Sequence, residues 1–236
     1  MSSSGEELYQ VRQDNDNYNT MSVSNAGNTP HLREMVLMGV PGFKCFLIHS
    51  GVDEFPAVTR DQVVEALMEL KDTGAVLLFH AECEVEEEEG GGGDPDLYST
   101  FLSSRPPSME TAAIQLVIDV CRLTRVPCHI VHLSAASGLP LIRAARAEGL
   151  PLTVETCHHY LNLTAAEIPA RATQYKCCPP IRDDLNQELL WEAVLAGDID
   201  MIVSDHSPCT PDLKLPGKSR YSLLAGNDND LILSLN

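Results

Sequence analysis

The sequence predicts an α/β fold in which a parallel β-sheet is covered by α-helices. Segments with strand-like and helix-like patterns alternate between residues 30 and 214. The strand-like segments are apolar on both faces, which is typical of parallel strands buried under helices. This pattern fits an open doubly wound sheet and a closed barrel equally well. In both folds the loops at the carboxyl ends of the strands carry the chemistry.

Short apolar runs predict the strands, and apolar residues at helical spacing predict the helices. The predicted strands are GFKCFLI (42–48), AVLLFHAE (75–82), PCHIVHLS (127–134), PLTVETCHHYL (151–161) and DMIVSDHS (200–207). The predicted helices are residues 31–39, 59–74, 108–125, 138–149 and 186–197. Threonine or serine caps and glycine stops mark several of the helix ends.

Three segments fall outside this alternation. Residues 1–29 are rich in Ser, Asn, Asp and Gly, so we expect a disordered N-terminal arm there. Within the alternating domain of residues 30–214, the acidic, glycine-rich stretch 84–96 is expected to be a flexible loop. Residues 215–236 break the strand–helix rhythm and are interpreted as a divergent C-terminal tail.

The composition indicates a globular protein that avoids polyanions. Acidic residues outnumber basic ones by 34 to 16, and the formal charge of −18 argues against nucleic acid or anionic membranes as partners. No apolar stretch approaches the roughly 20 residues of a membrane span. The 8 cysteines lack Cys-x-x-Cys spacing, and the start has no hydrophobic signal core. These features predict a cytoplasmic protein with reduced thiols.

Four chemically versatile side chains lie at or near the ends of separate predicted strands: Lys44, His80, His132 and Asp205. Nitrogen and carboxylate ligands suit zinc, so their convergence favours a metal site. Lys44 is the unusual member, because an ammonium group cannot bind a cation. Taken alone, it is interpreted as an edge-strand lysine whose head reaches solvent.

The other histidines are harder to place. His129 precedes His132 by three residues, so on a strand the two face opposite sides, and His129 is interpreted as structural. His158 and His159 are adjacent on another predicted strand, where one could reach a substrate while the other packs outside. His206 is expected either to orient nearby groups or to cap its loop.

Several motifs together resemble the cyclic amidohydrolases, and within them the allantoinase branch. They are GFKCFLIHSG, LFHAE, CHIVHLS, VETCHHYLNLT, KCCPPIRD and VSDHSPC, in this order. Hydantoinases and dihydropyrimidinases share the architecture and remain an alternative. The resemblance implies a (β/α)8 TIM barrel of the metal-dependent type, of which about five of the eight strands are present.

The resemblance also implies roles for individual residues. Lys44 corresponds to a carbamylated lysine that bridges two zinc ions. His80 and His132 correspond to ligands of one zinc, and Asp205 to a ligand of the other that also shuttles a proton. His159 and Cys178 correspond to substrate-binding positions. A proline usually stands where this sequence has His158.

The implied reaction is hydrolysis of the hydantoin ring amide of allantoin to allantoate, a step of purine breakdown, by a metal-activated hydroxide. The implied partner is therefore a small-molecule substrate, and the intact family is expected to be homo-oligomeric.

One family feature is missing, because no His-x-His pair occurs in the 236 residues. In the family this pair supplies ligands to the metal bound by the proton-shuttling aspartate. We therefore expect a truncated form with at most one zinc and weak or no activity. The alternative is a non-catalytic fragment that pairs with full-length subunits.

Overall fold

The computed structural model describes residues 12–13, 19–22, 29–51, 55–86 and 93–206. Seven strands form one sheet in sequence order. They are β1 (Arg12–Gln13), β2 (Asn19–Ser22), β3 (Gly42–Phe46), β4 (Val76–His80), β5 (Cys128–Ile130), β6 (Leu152–Cys157) and β7 (Met201–Val203). β1 pairs with β2 antiparallel, and every later pair is parallel. The predicted parallel sheet is confirmed.

Helices connect the parallel strands. The α-helices are α1 (Leu32–Leu37), α2 (Arg60–Leu70), α3 (Tyr98–Ser103), α4 (Pro107–Thr124), α5 (Leu139–Ala147), α6 (His158–Asn162) and α7 (Asp184–Ala196). Short 3-10 helices cover Thr29–His31, Ala136–Gly138, Ala165–Glu167 and Thr173–Tyr175. No described helix combines the length and apolar character needed to cross a bilayer.

Side-chain caps explain where two of the long helices begin. Thr59 accepts a hydrogen bond from the Gln62 amide, and the Gln62 side chain accepts one from the Thr59 amide, which forms a capping box before α2. Asp183 caps α7 by accepting from the amide of Asn186. α7 ends at Ala196, and Gly197 caps it with a φ of 78°, in the left-handed region that glycine adopts without strain.

The two faces of the sheet differ. One face packs against the helices and forms the core, with Phe43, Cys45, Leu77, Phe79, Cys128, Ile130, Leu152 and Val154. Phe79 and Ile130 are only 0% and 1% exposed, and burying such a side chain contributes about 1.5–3 kcal/mol. The opposite face carries, at paired positions, Lys44, Phe46, Leu78, His80, His129 and Thr153. This second face positions the candidate site.

Two helices and two strands were not expected from the sequence. α3 follows the acidic loop, and α6 replaces the end of the predicted strand 151–161. β1 and β2 lie in the segment expected to be a disordered arm, where Thr20 pairs with Gly42 of β3. Residues 1–11, 14–18 and 23–28 of that arm, residues 87–92 of the acidic loop and residues 207–236, which include the tail 215–236, lie outside the described residues.

Candidate metal and substrate site

His80 and His132 meet at the carboxyl ends of β4 and β5. His80 is the last residue of β4, and its Nδ1 lies 3.1 Å from Nε2 of His132. Both side chains are buried, at 3% and 2% exposure. Burial, followed by the charges of His80 and Lys44, holds the pKa of His132 well below its ordinary value. His132 is therefore uncharged at neutral pH, and both imidazoles have little contact with water.

The expectation that His129 and His132 face opposite sides of the sheet is wrong. β5 ends at Ile130, and His132 has a left-handed backbone with φ of 42°, so the alternation of a strand does not extend to it. His129 lies on the same face as His80 but deeper, paired in register with Leu78. Its Nδ1 lies 2.7 Å from Thr153 Oγ1, a contact that fits the structural interpretation of His129.

Lys44 faces this site. Its Nζ lies 5.4 Å from the centroid of the Phe46 ring, and Phe46 stacks on His80 with centroids 5.2 Å apart. β3 lies between β2 and β4, so the interpretation of Lys44 as an edge-strand lysine is wrong. The charge of Lys44 is also one of the causes that lower the pKa of His132, which places the two groups within electrostatic reach.

His159 and Asp205 lie at the ends of β6 and β7. His158 and His159 begin α6, so the prediction that they alternate on a strand is wrong. Burial lowers the pKa of His159 to about 4, and the charge of Asp205 opposes that effect. Asp205 has a left-handed backbone with φ of 48°, two residues after β7. His159 and Asp205 are thus electrostatically coupled at this end of the sheet.

Sequence reasoning missed Glu82 and Arg105. Glu82 Oε2 lies 2.7 Å from His80 Nε2 and accepts a 2.7 Å hydrogen bond from Arg105 Nη1. Burial acts to raise the pKa of Glu82, but the hydrogen bond with His80 and the charges of His80 and Arg105 outweigh it and lower the pKa. One sequence signal could have indicated Glu82: it is an acidic residue two positions after His80, at the end of an apolar run.

Cys178 lies within electrostatic reach of Arg105 and Glu82. Burial raises the pKa of its thiol to about 11, with the charge of Arg105 acting in the opposite direction. Cys178 precedes Pro179 through a cis peptide bond. Tyr160 Oη donates a 2.7 Å hydrogen bond to the Pro179 carbonyl, and the Ile181 amide donates one of 2.7 Å to Tyr98 Oη. Tyr160 and Tyr98 therefore anchor the loop that carries Cys178, through the backbone of Pro179 and Ile181.

The donor atoms fit a metal only in part. Across the described ranges, no group of three or more His, Cys, Asp or Glu side chains is arranged to hold a metal ion. Zinc-bound nitrogens at 2.0–2.1 Å in tetrahedral geometry lie about 3.3 Å apart, which is close to the 3.1 Å between His80 and His132. His132 Nδ1 and His159 Nε2 are also buried, and neither has a hydrogen-bond partner in the part of the chain that the structure describes. The pair fits two ligands of one metal.

Known proteins match the chain over most of its length. No family model matches it. Allantoinase from Aquarana catesbeiana is 54% identical over 208 residues, which is 88% of this chain and 43% of that protein. Allantoinase from Saccharomyces cerevisiae is 48% identical over 192 residues, 79% of this chain and 42% of that protein. The chain thus spans less than half the length of these curated relatives.

Solved structures agree on the fold. L-hydantoinase (dihydropyrimidinase) from Arthrobacter aurescens superposes with a TM-score of 0.75 at 29% identity, over 90% of this chain and 48% of that one. D-hydantoinase from Bacillus sp. AR9 gives a TM-score of 0.73 at 25% identity, over 89% and 48%. These neighbours are TIM-barrel enzymes, and the match covers about half of each. Over the matched residues, the chain is a homologue of the allantoinases and has the fold of part of a cyclic amidohydrolase (β/α)8 barrel.

Proposed function

We propose that this chain carries part of an allantoinase-type site, which hydrolyses the hydantoin ring amide of allantoin to allantoate. The observation that supports it is the buried nitrogen pair of His80 and His132 at adjacent strand ends, in a chain 54% identical to an allantoinase. Hydantoinase and dihydropyrimidinase structures match at 29% identity or below, so they support a related reaction less strongly.

His80 and His132 would hold one divalent metal, for which we propose zinc. Lys44 would supply an oxygen ligand once carbon dioxide has converted its amine to a carbamate, because an ammonium group cannot serve. A metal held there would supply a Lewis acid, which would lower the pKa of a water and polarise the ring carbonyl.

Residues at the carboxyl ends of β6 and β7 would transfer the proton of the attacking water and bind the hydantoin ring of the substrate. Asp205 would accept a proton from the attacking water and return it to the leaving ring nitrogen. His159, neutral because of its burial, would hydrogen-bond the substrate. Cys178 and its backbone would border the ring amide. The electrostatic coupling of His159 and Asp205 supports this placement.

We propose at most one zinc and weak or absent turnover for these 236 residues alone. The second metal would need the His-x-His pair, which this sequence does not contain. We further propose a cytoplasmic location and a homo-oligomeric state. The relative from Aquarana catesbeiana is named as mitochondrial, so cell fractionation of a tagged chain is the test of location.

A second candidate function is a non-catalytic subunit that pairs with a full-length relative. Exposed apolar side chains favour it: Leu185 and Leu195 on α7 are 64% and 82% exposed, and Ile202 on β7 is 37% exposed. Co-expression with an intact allantoinase subunit tests this function. A complex that elutes as one species supports it, and separate elution contradicts it.

Metal analysis tests the main proposal. The purified chain should bind up to one zinc, and Lys44→Ala and His80→Ala should abolish that zinc. His31→Ala, on an exposed histidine outside the site, is the control and should keep it. A folded chain without zinc, or equal zinc in all variants, contradicts the metal site. Allantoin and dihydrouracil should then be compared as substrates, with allantoin expected to be the better.

A further inference from the structure

The two ring nitrogens of His80 have different neighbours. Nε2 lies 2.7 Å from Glu82 Oε2, and Nδ1 lies 3.1 Å from His132 Nε2. Glu82 Oε2 also accepts a hydrogen bond from Arg105 Nη1 at 2.7 Å, and the ion pair with Arg105 stabilises Glu82 as a carboxylate, which can only accept a hydrogen bond from His80. The hydrogen of a neutral His80 therefore lies on Nε2, and Nδ1 keeps its lone pair.

Glu82 depends on Arg105 to act as an ionised hydrogen-bond acceptor for His80. Glu82 is 0% exposed, and a buried carboxylate without a cation is strongly destabilising. Arg105 reaches it from the segment between α3 and α4, 23 residues along the chain. The arginine thus makes an ionised acceptor possible behind the imidazole.

A second buried carboxylate holds the loop that carries His132. Glu110 Oε2 accepts hydrogen bonds from the amides of Ser134 and Ala135, each 2.9 Å long. Arg182 Nη2 donates to Glu110 Oε1 at 2.7 Å. The backbone that follows His132 is therefore tied to α4 and to the KCCPPIR loop.

The two ion pairs are joined. Arg182 Nη1 donates a 3.3 Å hydrogen bond to the carbonyl of Arg105. Glu82, Arg105, Glu110 and Arg182 thus form one buried brace, with His80 at one end and the loop of His132 at the other.

We propose that the buried brace is a positioning device: Glu82, held by Arg105, sets the tautomer of His80, while Glu110 with Arg182 sets the loop of His132. The result is a nitrogen pair preorganised for a divalent metal. The metal part of this inference rests on the proposed function, whereas the tautomer part concerns the metal-free chain. Outer partners of metal-bound histidines typically change affinity by 10–100-fold.

The sheet offers a matched control. Glu155 is a second buried carboxylate beside a histidine, with Oε2 3.1 Å from Nε2 of His129. This pair lies deeper, its His129 Nε2 makes no hydrogen bond among the described residues, and no hydrogen bond or ring contact described there joins it to the His132 side chain. Glu82→Gln and Glu155→Gln make the same chemical change beside different imidazoles. Only the first should affect the nitrogen pair.

Zinc affinity and histidine NMR test the proposal. Glu82→Gln should weaken zinc binding about 10–100-fold and shift the His80 proton from Nε2 toward Nδ1 in nitrogen-detected spectra of metal-free protein. Glu155→Gln should change zinc affinity less than about twofold, as expected for a partner outside the site. Glu82→Asp, which keeps the charge, should restore part of the affinity.

The outcomes separate the two proposals. If wild type binds no zinc, the metal site fails, but the NMR comparison still decides whether Glu82 sets the tautomer. If Glu82→Gln does not fold, Arg105→Lys replaces it and should weaken zinc binding in the same direction. Unchanged tautomer and unchanged zinc affinity in the folded variant overturn the positioning role, as does an equal loss in Glu155→Gln.

Discussion

The candidate site has two parts, one at the carboxyl ends of β4 and β5 and one at the carboxyl ends of β6 and β7. Hydrogen bonds join the side chains of the first end, whereas those of the second end are linked mainly by electrostatic coupling. At the first end, His80 bonds both His132 and Glu82. At the second, no hydrogen bond among the described residues joins His159 to Asp205. Within the same residues, His159 Nε2 is buried without a hydrogen-bond partner, as are Glu82 Oε1 and His132 Nδ1 at the first end. A polar group is buried without a partner only at a cost in free energy.

This difference indicates which end is ready for a ligand. The first end has a buried brace behind it and presents two nitrogens at a fixed separation. At the second end, no described residue forms a hydrogen bond with His159 Nε2, so this nitrogen is open to a substrate or a further ligand. We therefore expect the two ends to respond differently to mutation, to acid and to metal.

Core substitutions should show the largest difference between the two ends. Phe79→Ala on β4 removes a fully buried ring and should lower the free energy of unfolding by about 3–5 kcal/mol. Ile202→Ala on β7 removes a side chain that is 37% exposed and should cost less than about 1 kcal/mol. Urea denaturation measures both. Similar losses at the two positions would contradict the comparison.

Acid should destabilise the metal-free protein through His159. Its pKa falls from 6.5 to about 4 on folding, so between these values the unfolded chain binds the proton and the folded chain does not. Stability is therefore full above about pH 6.5 and falls as the pH drops toward 4, by about 3 kcal/mol in total. His159→Gln should flatten the dependence of unfolding free energy on pH between 7 and 4. An unchanged slope contradicts the burial of a neutral His159.

The sequence was sufficient for the sheet because periodicity and apolar runs report burial directly. All five predicted strands are present and pair in sequence order, although the pattern alone left that order open. It was also sufficient to bring His80 and His132 to one place, because adjacent parallel strands end at the same edge. Their roles as ligands stay predictions, as do those of Lys44 and Asp205.

The features that the sequence analysis predicted wrongly or missed depend on where strands and helices end and on contacts between distant residues. Alternation does not reveal that β5 ends at Ile130 or that His132 adopts a left-handed backbone, so the relative facing of His129 was predicted wrongly. Nor does it reveal that the run 151–161 turns into a helix at His158. Arg105 was missed because its partner Glu82 is 23 residues away and only the folded chain brings them together.

Zinc binding gives the sharpest test of the comparison, because both ends carry a proposed ligand. His132→Ala removes a nitrogen from the fixed pair and should weaken binding of the single zinc by at least about 100-fold, more than the loss of an outer partner. Asp205→Ala should change it by less than about threefold, because Asp205 belongs to the metal whose other ligands this sequence lacks. Competition with a chromophoric chelator measures both affinities, with circular dichroism as the control for folding. If Asp205→Ala loses zinc as severely as His132→Ala, one metal draws on both ends of the sheet, and the division between a preorganised end and a dependent end is wrong.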